Sequence, residues 1–295
     1  MKISTKYKLP GREINFVNIN LDKDNKLFID PMKLKRGKTE FHQKCFSKVE
    51  EFVNILVDLA KNRNYKVLLE FVENFYERNE TRLGYSIESR NGKSFGQNGG
   101  IELVKLLTKG TIFEAGFIED IFDFLMLTPN IGEDKVSDII TTILFMDLIE
   151  YTQKQCEMWK IPTKSIGIKK LCWNHSSKAW QKIVEELPTH EGEPILFVPK
   201  SFVGKSYIFS YEKLYSDVII PLYKNLEMRK ENSRFVVKYK NGRVHVLGNK
   251  LRQEYPCTKY VVLDFIRNYD LAYREYKNII LAGKRIEHKA KIWYI

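Results

Sequence analysis

Apolar residues recur at helical spacing through most of the first half of the chain and alternate with polar ones through much of the second. Residues 14–20 alternate, the Asp22-Lys23-Asp24-Asn25 cluster turns the chain, and residues 26–30 resume an extended pattern, which predicts two short strands. Phe46, Val49, Phe52, Val53, Leu56, Leu59 and Ala60 then mark one helix face, and residues 65–76 repeat that spacing. Two such stripes, close in sequence, predict an antiparallel helical pair. Residues 79–100 break the pattern with Gly, Ser, Asn and Arg; connections of that length are usually functional or disordered. Helices are predicted again over residues 101–109, 115–127 and 133–159, the last opened at Gly132 and closed by Pro162.

From residue 165 the period changes. Residues 165–173, 180–187 and 194–199 read as strands, with Trp173 and Trp180 placed to pack across a hairpin. Residues 211–229 return to helix, kinked or divided by Pro221. Asn241-Gly242 between two alternating runs predicts a two-residue type I′ hairpin over residues 233–247. That turn sets Lys240 opposite Arg243, Tyr239 opposite Val244, Lys238 opposite His245, and Val237 opposite Val246. One face is then apolar (Tyr239, Val244, Val237, Val246) and the other basic (Lys238, Lys240, Arg243, His245). Three short helices follow, over residues 250–254, 258–267 and 270–281.

The chain therefore reads as α+β: a helical N-terminal half, a central small β-sheet, and a basic C-terminal hairpin with short helices. The matching domains are residues 1–164, 165–232 and 233–295. A two-stranded ribbon followed by short helices resembles the plan of winged-helix and ribbon-type nucleic-acid readers.

Charge sharpens the picture. The 295-residue chain has a formal charge of +12, and residues 200–295 hold 20 Lys and Arg against 9 Asp and Glu, so +11 of it lies in the last third. Self-repulsion concentrated in one segment points to a polyanionic partner, nucleic acid first and DNA ahead of RNA. Lys240 opposite Arg243 would weaken an isolated ribbon, and a phosphate backbone would relieve that repulsion. Arg82, Arg90 and Lys93 sit among glycines in the long loop and offer further phosphate contacts. A solvated basic face is the plainer account of the same residues.

The N-terminal residues lack the apolar core of a signal peptide, and no apolar run reaches the ~20 residues of a membrane span. Cys45, Cys156, Cys172 and Cys257 are scattered and read as reduced thiols, so a cytoplasmic protein with no membrane partner is expected. A protein partner or a homo-oligomer stays open.

Candidate chemistry lies in the nearly neutral first two thirds. Asp134 and Asp138 are four apart at the start of a predicted helix and share a face. Two such carboxylates suit Mg²⁺, which in a nuclease would position water and stabilise the leaving oxygen. Acidic residues in a first helical turn also complement the dipole with no metal at all. Lys200 follows an apolar strand that Glu193 precedes. Some nucleases of the restriction-enzyme type carry an acid and a lysine on neighbouring strand positions, but here the two are seven apart. Asp134, Asp138 and Lys200 are the expected catalytic set, the two aspartates also the metal ligands. The segment Asn91-Gly92-Lys93-Ser94 lacks the spacing of a nucleotide-binding P-loop, and Cys172 with His175 lacks the further ligands of a zinc site. Three functions remain: a Mg²⁺-dependent nuclease of bacterial defence or restriction type, a nucleic-acid-binding regulator or adaptor, and a protein-interaction subunit of a larger complex.

Overall fold

A computed structural model of the chain describes residues 1–75, 77–84, 104, 118–128 and 131–286. The fold is α+β, with helix outweighing strand and every strand pair antiparallel and two-stranded among the described residues. The chain divides into two compact units. The first comprises Met1–Leu125 and Asn130–Ile208, the second Met126–Pro129 and Phe209–Ile295.

In the first unit, α1 (Ile3–Lys6) and β1 (Phe28–Ile29) lead into α2 (Pro31–Arg36) and α3 (Glu40–Lys61). Asp30 caps α2 by accepting the Met32 N–H at 2.8 Å with Pro31 at the first helical position. Thr39 caps α3 in the same way, through the His42 N–H. The predicted helical pair forms: α3 packs with α4 (Tyr65–Val72), and Phe52 lies 4.3 Å from Phe71, centroid to centroid. The strand expected over residues 14–20 does not form. Phe16 makes a single bridge to Pro199 and Lys2 one to Asn20, while the Val17 N–H donates to Val198 O at 2.9 Å.

The helix expected over residues 133–159 is two, α6 (Glu133–Ile143) and α7 (Phe145–Trp159), after α5 (Ile121–Leu127). The Thr141 hydroxyl donates back to Ser137 O at 2.7 Å, and His175 occupies the Ile143 carbonyl at 3.0 Å. Such back-bonding loosens the helical ladder just where Leu144 leaves helical geometry. Lys160, left-handed at φ 52°, ends α7 ahead of Pro162.

The central region forms separate ribbons instead of one sheet: β2 (Lys164–Gly167) with β5 (Val184–Leu187), β3 (Cys172–Asn174) with β4 (Ala179–Gln181), and β6 (Thr189–His190) with β7 (Glu193–Pro194). Trp173 does face Trp180, at 5.3 Å, and Phe52, Phe71 and Phe75 of the helical pair close around them. Trp173 is buried and Trp180 half-buried against the helices, and residues 165–208 belong to the first unit, with no division at residue 164.

Residues 195–198, expected as a strand, are buried and extended with no ladder. Their backbone donors go to three different places: Ile195 to Pro188 O, Leu196 to Glu80 O and Phe197 to the Thr152 hydroxyl, at 2.8, 2.8 and 2.9 Å. β8 (Val203–Gly204) then pairs with β1.

The second unit holds α8 (Tyr211–Leu214), a π-helical turn (Tyr215–Ile219), α9 (Ile220–Arg229), β9 (Val236–Lys238), β10 (Val244–Val246), α10 (Gly248–Glu254), α11 (Lys259–Asn268) and α12 (Asp270–Leu281). The helix expected over residues 211–229 is divided at the π turn, and Pro221 stands in the first turn of α9. The π turn before it accommodates the proline's missing N–H. Leu214, Val218, Ile219, Leu251, Val262, Phe265, Ile266 and Tyr276 form this unit's own core.

Asp147 is fully buried in the first unit, 2.7 Å from Lys48 Nζ and 3.0 Å from Lys44 Nζ. Breaking a buried pair leaves an uncompensated charge, typically at ~3–5 kcal/mol. Because Lys44 still answers Asp147, Lys48→Ala is expected to destabilise the protein by about 2 kcal/mol, below that range. Urea unfolding would show this as a lower midpoint at unchanged slope; an unmoved midpoint would mean that Lys44 alone balances the charge.

Candidate functional site

Asp134 and Asp138 lie one turn apart on α6, and Thr142 extends the same face by another turn. The segment carrying Glu77, Arg78 and Glu80 lies against that face. Arg78, 1% exposed, donates to the Thr142 hydroxyl at 3.4 Å and to Leu171 O at 2.6 Å. The short helical turn Asn79–Thr81 and the left-handed Arg82 (φ 53°) bring the chain to Gly84. Gly84 has φ 123°, and a Cβ there would stand 2.8 Å from Asp134 Oδ1, so only glycine fits on both counts.

Burial, then the carboxylates of Asp134 and Glu77, push the Asp138 pKa well above the usual range, against the pull of Lys170 and Arg78. Lys170 donates to Glu77 O, and burial lowers its pKa despite Glu80, Glu77 and Asp138 nearby. Burial thus moves both Asp138 and Lys170 toward their neutral forms.

Tyr207 closes the other side. Its hydroxyl donates to Glu133 O at 2.8 Å and its N–H to Glu133 Oε1 at 2.6 Å. Burial, and after it Asp30, Glu133, Asp138 and Asp134, hold the phenol protonated far above its ordinary pKa.

The structure brings Asp134 and Asp138 together, as the spacing predicts. Lys200 does not join them. It is exposed at the start of a helical turn, its N–H bonded to Asn15 O at 2.9 Å, because the bridge between Phe16 and Pro199 directs the chain there. The lysine that acts on Asp138 is Lys170, and the third carboxylate is Glu77. Neither carries a local signature, since each reaches the site from a remote part of the sequence. Arg82 is half-buried beside the site, while Arg90 and Lys93, with most of the long loop, lie outside the described residues. Among the described residues no three His, Cys, Asp or Glu side chains converge to hold an ion. Burial raises the Cys172 thiol to about 11, against the pull of Arg78.

The basic ribbon also departs from expectation. Val244 pairs with Lys238, His245 with Val237 and Val246 with Val236. The Tyr239 N–H donates to Arg243 O at 2.8 Å and the Gly242 N–H to Tyr239 O at 3.0 Å. With Gly242 at φ 78°, this is a three-residue turn with a glycine bulge, not a two-residue type I′ turn. The one-residue slip changes which side chains share a face. Val237, Tyr239, Arg243 and His245 now lie together, with Lys238 and Val244 opposite and Lys240 in the turn. Lys240 therefore does not face Arg243, and neither face of the ribbon is purely basic.

A family model described as a domain of unknown function, DUF8370, matches residues 8–210, about two thirds of the chain. The chain belongs to this family. The DUF8370 match ends two residues past the first unit, so the carboxylate site lies inside it and the ribbon outside. No curated protein matches the chain, and neither does any solved structure.

A carboxyl whose pKa is raised by folding binds its proton more tightly folded than unfolded, so ionising it erodes stability once the pH passes its ordinary value of 3.8. Asp138→Asn mimics the protonated form. The variant is expected to melt above the unmodified protein at pH 8, with the gap closing near pH 4. Thermal melts across pH read this directly, and a variant less stable at pH 8 would show that the carboxylate serves the fold.

Proposed function

We propose that this protein binds nucleic acid, DNA before RNA, through its basic second unit. The observation that carries this reading is the ribbon. Lys240 and Arg243 are exposed there and make no side-chain ion pair among the described residues, in the part of the chain that holds +11 of the +12 charge, and the His245 imidazole is exposed beside them. Unneutralised cations on an exposed ribbon favour a phosphate backbone, whose release of counterions drives binding. On this reading the compartment is the cytoplasm, since all four cysteines are free thiols. Among the described residues no helix is long and apolar enough to cross a membrane.

A second reading, a Mg²⁺-dependent nuclease, is favoured by the grouping of Asp134, Asp138 and Glu77 with Lys170. Asp134 and Asp138 would hold the ion, which when bound would polarise the phosphoryl oxygen and activate water. Lys170 would then offer its charge to the developing phosphorane, and Asp138 would ligate as a carboxylate, its proton released to solvent.

Labelled DNA and RNA, single- and double-stranded, incubated with the full chain in Mg²⁺ or in EDTA, test both readings. Binding is expected to weaken steeply with salt. Replacing Lys238, Lys240 and Arg243 together by Ala should flatten the log–log slope by about one unit for each phosphate no longer neutralised; an unchanged slope would remove the ribbon from the interface. Mg²⁺-dependent cleavage that Asp138→Asn and Lys170→Met abolish without loss of binding is the nuclease outcome. Cleavage surviving in Asp138→Asn overturns that site. Absence of binding under every condition leaves a protein-interaction subunit as the function.

A further inference from the structure

We infer that the ribbon is a single-strand reader in which Tyr239 stacks on an unpaired base, an inference that rests on the second unit being the nucleic-acid surface. Tyr239 is 53% exposed at the mouth of the turn, and its ring contacts no other ring or cation among the described residues. The register places it across from Arg243, with Val237 and His245 on the same face.

Val237, 36% exposed, lies open to water on the same face as Tyr239. A ribbon reading duplex DNA would meet base edges, which call for hydrogen-bonding side chains, because the flat faces of paired bases are hidden in the stack. An unpaired base does present its flat face. Aromatic rings stack on it with little regard to sequence, and guanidinium groups add a second planar partner.

The rest of the ribbon fits this partner. Arg243 and His245 share the stacking face, Lys240 occupies the turn and Lys238 the opposite face. Cations on both sides and at the tip can follow a flexible phosphate backbone around the ribbon, whereas a rigid duplex would engage one side. The arm is held at its base, where the Leu247 N–H donates to Phe235 O at 2.7 Å. Ser233 ties that strand to buried Glu227 by donating to its Oε2 at 2.6 Å. The stacking ring therefore projects from an anchored support.

The test compares the full-length protein with Tyr239→Ala, Tyr239→Phe and Arg243→Gln by fluorescence anisotropy. The probes are a labelled thymidine oligonucleotide of about 16 nucleotides, the upper span of one single-strand-binding module, and a duplex of equal length. Tyr239→Ala is expected to weaken single-strand binding roughly tenfold, with the duplex little changed and the salt slope preserved. Tyr239→Phe keeps the ring and should keep the affinity. Arg243→Gln should flatten the single-strand salt slope by about 0.7. Single-strand affinity unchanged in Tyr239→Ala, or weakened equally for both probes, overturns the stacking role while nucleic-acid binding itself stands. A full-length protein that binds neither probe at low salt refutes the nucleic-acid reading, and this inference with it.

Discussion

The first unit depends on how one buried, unpaired segment satisfies its backbone. Residues 195–198 run through the interior without a neighbouring strand, and an unmet backbone donor there would cost as much as a broken hydrogen bond. Ile195, Leu196 and Phe197 instead bond to Pro188, Glu80 and Thr152, and Val198 accepts from Val17. Four stretches of chain, three of them remote in sequence, are thereby fixed to one line. The Glu80 bond matters most for chemistry, because it fixes the turn whose neighbours Glu77, Arg78 and Gly84 face Asp134 and Asp138 on α6.

This also explains what could and could not be read from the sequence. The helical pair was legible because its periodicity is local and its aromatic stripe has one destination. Trp173 opposite Trp180 was legible for the same reason: a short polar turn brings them together. The strand expected over residues 194–199 was not, since a continuous apolar run says only that a segment is buried, and most partners of its donors lie remote in the chain. Asp134 and Asp138 followed from helical spacing. Lys170 could not, because its place beside Asp138 depends on the bend between β2 and β3. Lys200 has the more suggestive local sequence, after an apolar run, yet the fold turns it to solvent.

The ribbon shows how much depends on one residue of register. Asn241-Gly242 identifies the turn, but the choice between a two-residue and a three-residue turn depends on which carbonyl the Gly242 N–H reaches. Tyr239 O accepts it, and every side chain beyond changes partners. Under the two-residue register Tyr239 belongs to an apolar face that would seek a core. Under the observed one it stands in water beside Arg243, and its exposure becomes a functional question instead of a packing one.

The two units divide the physics. The first keeps a nearly neutral charge balance and sets Asp134, Asp138 and Glu77 close enough that burial and their mutual charge favour the protonated form of Asp138. The second carries the positive charge on an exposed arm and builds its own core from α8 to α12. The family match covers Asp134, Asp138 and Glu77 and stops before the ribbon. The carboxylate grouping on α6 therefore lies within the part of the chain that defines the family, and the ribbon lies beyond it.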